Sequence, residues 1–507
     1  MNVLQTNLNN NNIVPTKARI SRIMSNNNDS SRGSSKNNLL LSQLTEKAPP
    51  SLPNKDSIKL LTFNTWGLKK VSKFRNERFE AIISLLSGKN TPNLKPIIEG
   101  LETDSDFDII ALQEVWTTNN RERIIEKLSS LYNCRFFSSG IITGPGLGTL
   151  TKFPIVDTWL LKFGINGVPW AVNRGDFFVG KSCAITEMEV QKGKRIVLLN
   201  SHMHAPYAQE GYNAYLCHRV CQAYEIYKLV KRIQRDPSAS VVLVGDLNSK
   251  PGSLPYRIMT RMTGLVDSFV SDYQFVNSYL DAKNGAIHRN LRKNDFTINS
   301  NNPNISTNVE VMDVSQMDPL DQVRYAGTTC DSKLNTWRQD RQIWEACRLD
   351  YALIDPRKLR SVSSRVQMTE QIRGIGSLSD HFGYSCELKL EPSETYDDSI
   401  DAHEKMDILK EILNVIDDYT ITAEREELWK LVYFVCALIY VIGSLVFITF
   451  TANRAGWSSV LVYMGGVFFS ITGVFALVFG FVFGQKELRA LREVRMQVVD
   501  ELTTLKR

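Results

Sequence analysis

Apolar and polar positions alternate in short runs from Ile58 to Leu390, and the pattern changes beyond that point. The runs Ile58–Phe63, Ile109–Gln113, Cys183–Val190, Arg195–Ser201, Val241–Gly245, Tyr351–Ile354 and Tyr384–Leu388 predict strands. Cys183–Val190 and Tyr384–Leu388 alternate as half-buried strands do. Between the strands, Arg75–Leu86, Arg121–Leu131 and Asn213–Gln234 carry helical spacing. This mixture predicts an α/β domain with a layered sheet core flanked by helices, spanning residues 57–392.

A charged, helix-prone connector (393–430) then leads into two apolar runs, Leu431–Phe450 and Val460–Phe483. A helix crosses a hydrocarbon core of about 30 Å with roughly 20 residues, so each run is long enough. Only Thr451–Ser459 separates them, which predicts a transmembrane hairpin over 431–484. Gly465, Gly466, Gly473 and Gly480 allow close helix approach. Arg425 and Lys430 precede the hairpin, and Lys486, Arg489, Arg492 and Arg495 follow it, so both ends and the α/β domain are expected on the cytosolic side. The expected address is an endoplasmic-reticulum or mitochondrial membrane. Over 485–507, Leu488, Leu491, Val494, Val498, Leu502 and Leu505 form an apolar stripe beside those cations, the pattern of an interfacial amphipathic helix.

Composition adds less. Residues 1–56 are rich in Asn and Ser and are expected to be disordered, and 281–308 reads as a surface insertion. No secretory signal is recognised at the start. The net charge of +6 is too mild to demand a nucleic-acid partner and suits an acidic membrane surface equally well. The eight cysteines are scattered without a CxxC pair, and reduced thiols are expected.

Six separated segments place acid, amide and imidazole groups beside the strands. They are Thr62–Trp66, Leu112–Trp116, Asn200–Met203, Gly245–Ser249, Arg348–Ala352 and Leu378–Phe382. Any one of them reads as an ordinary turn. A phosphodiester repels nucleophiles by its charge, and cleaving it needs a cation, an activated water and a stabilised leaving oxygen. Oxygen donors for a hard cation and an imidazole titrating near neutrality are the groups that supply these needs.

In this chain order the six segments resemble the endonuclease/exonuclease/phosphatase superfamily, the DNase I-like fold. The resemblance implies a four-layered α/β sandwich with Mg²⁺ at one rim. It further implies Glu114 as principal metal ligand helped by Asn64, Asn248 bonding the phosphate, and Asp246 positioning the attacking water. His381 is then the general base, Asp350 orients a catalytic histidine (His381 first), and His202 stabilises charge on phosphorus. Asp380 steers the His381 segment or contacts a second metal. His204 lies on the same strand face as His202 and is expected to pack at the core or rim.

Gly175–Ser182 (GDFFVGKS) spells a nucleotide P-loop, but a P-loop opens a helix and here a strand-like run follows. The same string resembles a mark of the neutral sphingomyelinase branch, which implies that Asp176 and Lys181 sit near the site. Gly327–Trp337 (GTTCDSKLNTW) is similar to that branch as well. With two C-terminal spans, the whole chain looks like the fungal inositol phosphosphingolipid phospholipases C. The expected partners are a membrane lipid substrate and anionic phospholipids as activators, with no nucleic acid. Choline phosphate and inositol phosphate both remain open as head groups, as does the oligomeric state. The rival readings are an apurinic endonuclease, an inositol-polyphosphate phosphatase and a non-catalytic lipid tether.

Overall fold

The computed structural model describes residues 55–506 apart from 70, 90, 92, 99–101, 172–173, 272–313 and 393–399. Most of the tail expected at 1–56, and the insertion expected at 281–308, lie outside the described residues.

Two six-stranded sheets face each other. The strands of the first are β1 (Ser57–Asn64), β2 (Ile109–Gln113), β3 (Asn133–Phe136) and β4 (Gly148–Thr151), joined by two later strands. The second sheet contributes β5 (Ile155–Lys162), β6 (Ser182–Gln191), β7 (Lys194–His202), β8 (Ala239–Asp246), β9 (Val266–Asp267) and β10 (Asp350–Ile354). The chain then returns to the first sheet with β11 (Arg360–Gln367) and β12 (Gly383–Lys389). The orders are β11-β12-β1-β2-β4-β3 and β9-β10-β8-β7-β6-β5.

Period-two alternation sorts the side chains. On β1, Ile58 and Leu60 turn to the opposite sheet, while Leu61 and Phe63 turn outward to helices α1 (Arg75–Leu86) and α2 (Thr118–Leu128). Helix α2 begins earlier than its spacing predicts because the Thr117 side chain accepts from the Asn120 N–H and caps it. A fourth layer covers the outer face of the second sheet, built on α3 (Leu216–Ile233). Helix, sheet, sheet, helix: the expected four-layered sandwich is present.

The C-terminal elements correct the sequence expectation. Helix α4 (Ala402–Thr451) runs without a break from the expected connector through the first apolar run. Helix α5 (Gly456–Leu477) continues through a π-helical turn, Val478–Gly484, into α6 (Gln485–Leu505). These are two helices long and apolar enough to cross a membrane, with 11% of each apolar window buried. The stripe on α6 does not lie free at an interface. Leu488, Leu491, Val494, Val498 and Leu502 are buried in the same core as Ile408, Leu409, Ile412 and Ile416 of α4 and Val220, Tyr224 and Tyr227 of α3. An apolar face is more stable against protein than against an aqueous boundary. The acids of α4 meet its cations as well, with Arg495 on Asp417 at 2.7 Å. The two arms of the hairpin therefore complete the fourth layer.

Leu491→Ala removes a side chain with no exposed surface from this layer. It should destabilise the catalytic domain by about 2–5 kcal/mol. Thermal unfolding of the detergent-solubilised protein checks this, since a helix lying free on lipid would leave the midpoint unchanged.

Candidate active site

Strand register assembles the centre. In the parallel pair β7–β8, His202 stands opposite Asp246, and in the antiparallel pair β8–β10, Asp246 stands opposite Asp350. Three chemically active residues thus lie in a row across adjacent strands at one sheet edge. In the first sheet Asn64 pairs with Gln113, which sets Glu114 just beyond the end of β2. Gly245 makes the close approach possible: a Cβ there would lie 1.9 Å from the Ser201 carbonyl oxygen. Glu114 and Asn248 hold φ of 61° and 46°, a left-handed conformation that non-glycine residues seldom take and that often marks functional sites.

The side chains converge. Asn64 Nδ2 donates to Asp246 Oδ2 at 3.0 Å and to Glu114 Oε1 at 3.2 Å. Trp116 Nε1 donates to Glu114 Oε2 at 3.3 Å. His381 Nδ1 donates to Asp350 Oδ2 at 2.9 Å, and its Nε2 lies 3.9 Å from Asp246 Oδ2. His202 Nε2 is 3.5 Å from Asp246 Oδ2 and 4.0 Å from Glu114 Oε1. Lys181 Nζ donates to His202 Nε2 at 2.5 Å and is 3.4 Å from Asp176 Oδ1. Asn248 Nδ2 donates to Met203 O at 3.0 Å. Asp380 is set apart from the row, its Oδ2 held by Arg338 at 2.5 Å. His204 is buried and stacks on Tyr215, with ring centroids 4.2 Å apart.

The charge balance is lopsided. Burial, reinforced by the charge of Asp380, raises the Glu114 carboxyl. Burial and then the neighbouring Asp350 push Asp246 up to about 7. Burial and then Lys181 hold His202 well below the ordinary imidazole value, so it is neutral. Burial opposes charge on His381, but Cys330, Asp350 and Asp246 outweigh it and raise it well above 6.5. Asp350 Oδ1 has no hydrogen-bond partner, and Asp246, Asp350 and His381 offer donor atoms within 4.8 Å of one another. Crowded carboxylates with an unsatisfied oxygen fit a hard divalent cation. In the present rotamer Asn64 turns its amide nitrogen to Glu114, and its Oδ1 accepts from Trp66 N, so ligation through that oxygen requires the amide to turn over.

The GDFFVGKS string forms one helical turn, Asp176–Val179, between Gly175 and Gly180, and leads directly into β6. Lys181 is buried against His202 rather than exposed at a turn. The same stretch reaches the hairpin, with Phe177 edge-on to Phe483 at 5.4 Å. Two positioning residues were missed from sequence. Arg78 donates to Thr65 O, Trp66 O and Leu378 O, clamping the turns that carry Asn64 and His381. Its signal was an arginine within the apolar face Phe79, Ile82, Ile83, Leu86 of α1. Tyr207, whose hydroxyl donates to Asp176 Oδ2 at 2.5 Å, had no local signal.

Residues 61–381 match the model of the Endonuclease/Exonuclease/phosphatase family. The chain is 42% identical over 466 residues to the inositol phosphosphingolipids phospholipase C of Saccharomyces cerevisiae, covering 88% of this chain and 90% of that protein. It is 30% identical over 459 residues to the protein of the same name from Schizosaccharomyces pombe, covering 88% and 93%. Its likeness to sphingomyelin phosphodiesterase 2 of Homo sapiens is 29% over 222 residues, covering 44% and 48%.

If His381 must be neutral to act, activity should rise with pH through its raised pKa, placing the acid limb of kcat/KM above 6.5. Asp350→Asn removes a charge that favours the imidazolium, so the limb should move to lower pH while the rate falls at least tenfold. A pH–rate profile with an unmoved limb would rule out this pairing.

Proposed function

This chain belongs to the Endonuclease/Exonuclease/phosphatase family, and on that premise we propose that it is a membrane-anchored, Mg²⁺-dependent phospholipase C acting on phosphosphingolipids. It would release ceramide and a phosphorylated head group, with inositol phosphosphingolipids as the leading substrate. One observation carries the reading: the 42% identity to the budding-yeast enzyme extends over 88% of this chain and 90% of that protein.

Glu114 and Asn64 are the residues to hold Mg²⁺. When bound, the ion would draw charge from the phosphate and lower the barrier to attack. Asp246 orients a water, and His381 Nε2 takes its proton while Asp350 fixes the ring through Nδ1 and stabilises the imidazolium. The water oxygen bonds to phosphorus as the bond from phosphorus to the ceramide oxygen breaks. Lys181 presents an ammonium where negative charge grows. It also occupies the nitrogen that His202 would turn to the phosphate, so His202 can act there only when Lys181 yields it. Asn248, anchored on Met203 O, donates its remaining amide proton to the phosphate.

The hairpin keeps the domain at the cytosolic face of an endoplasmic-reticulum or mitochondrial membrane, where a lipid phosphate is reached without leaving the bilayer. Anionic phospholipids would activate it through the cations at the end of the second span, each worth about 1 kcal/mol near the surface. Arg492 and Arg495 are already engaged with Glu424 and Asp417, which makes Lys486 and Arg489 the residues for this role.

Purified protein with Mg²⁺ should release ceramide from inositol phosphosphingolipid in mixed micelles, faster when phosphatidylserine is added. Chelation should stop the release, and Mg²⁺ should restore it. Glu114→Ala should retain less than about a tenth of the activity. Cleavage of abasic DNA without any ceramide would overturn the reading.

A further inference from the structure

Cys330 and Cys347 meet beside the catalytic centre. They form an isolated antiparallel bridge in which Cys330 N–H donates to Cys347 O at 2.9 Å and Cys347 N–H donates to Cys330 O at 3.0 Å. Facing residues that exchange both bonds carry their side chains on the same side of the ladder. Cys330 also forms an isolated antiparallel bridge with His381, which sets it beside the histidine. The two sulfurs and a carboxylate oxygen of Asp331 all lie within 4.8 Å of one another.

This donor set differs from the carboxylate row that suits Mg²⁺. Sulfur is a soft donor that selects Zn²⁺ and its analogues over Mg²⁺. Two thiolates on one tetrahedral Zn²⁺, with Zn–S near 2.3 Å, stand about 3.8 Å apart, within the spacing available. We propose that Cys330, Cys347 and Asp331 form a second, soft-metal site that binds Zn²⁺ or Cd²⁺ and silences His381. The silencing rests on the role of His381 given above; the metal site does not.

The step is an exchange without electron transfer: one dication binds, two thiol protons leave to solvent, and two metal–sulfur bonds form. Cys330 and Cys347 are 5% and 8% exposed as residues. A pair so buried is a poor target for peroxide, which needs a solvent-reached thiolate, whereas a coordinating cation displaces the proton itself. Asp331, with 22% of its side chain exposed, is the way in. Arg338 and Arg341 lie 3.6 and 3.4 Å from its carboxylate and offset the third negative ligand. The consequence for catalysis is electrostatic. A dication held on Cys330, the bridge partner of His381, adds positive charge beside the ring that takes the proton.

The test uses the full-length protein in detergent with saturating Mg²⁺, titrated with Cd²⁺ while thiolate-to-Cd²⁺ absorption and lipid turnover are both followed. One equivalent should produce the absorption band and lower turnover at least tenfold. Cys347→Ser should lose the band and the inhibition together while keeping its basal activity, and Cys347→Ala gives the same readout should the serine variant fold poorly. Cys217→Ser disrupts the other buried thiol pair, Cys217 and Cys221, and should change neither. A band that survives in both Cys347 variants, or that disappears in Cys217→Ser, overturns the proposal. So does inhibition that excess Mg²⁺ relieves, which would put Cd²⁺ at Glu114. A Cd²⁺ band dependent on Cys347 in a protein inactive on phosphosphingolipids would uphold the metal site and count against the substrate reading alone.

Discussion

Everything chemical in this molecule hangs on the register of three neighbouring strands. Side chains alternate faces along a strand, so a slip of one residue would send Asp246 to the opposite side of the sheet from His202 and Asp350. The register is held from both faces. Val241 and Leu243 of β8 pack outward into the helical layer, and Val242 and Val244 pack inward against the first sheet. The long apolar ladder fixes the phase, and the polar residues at its end inherit their positions. The hydrophobic core thus aims the candidate catalytic groups.

The second constraint is the electrostatic strain of that end. Glu114, Asp246, Asp350 and Asp380 crowd one rim, answered among the charged groups by Lys181, His381 and Arg338. Such a cluster is costly without a cation and strengthens one that arrives. Stability here has been yielded locally so that a metal and a phosphate find fields already oriented. Arg78 shows how the surrounding fold absorbs the cost, since its guanidinium satisfies three backbone carbonyls of the turns that carry the site.

What the sequence made legible follows from locality. The seven expected strands are all present, because each buries enough apolar surface to declare itself. β3, β4, β5, β9 and β11 were not read: three are short, β5 is half-exposed with little alternation, and β11 is mostly polar. The six polar segments were legible because each sits beside a strand whose partners follow from the fold. Cys330 and Cys347, or Tyr207 and Asp176, have nothing in their spacing to join them, since chain crossing alone brings them together. The α6 stripe marks another limit. Periodicity states that a face is apolar and is silent on whether lipid or protein will cover it. Here the covering partner was α3 and α4.

The shared fourth layer has a consequence for how the molecule comes into being. Synthesis runs from the N-terminus, so both sheets leave the ribosome before the helices that roof the second one exist. Ile412 and Leu491 reach that roof only after the two apolar helices between them, each long enough to cross a membrane, have been made and have paired as a hairpin. Completion of the enzyme in this sense waits on its last-made helices. A newborn chain without them would be an unroofed intermediate with an exposed sheet, and a protease that severed the stem would release a fragment lacking a wall rather than an intact enzyme.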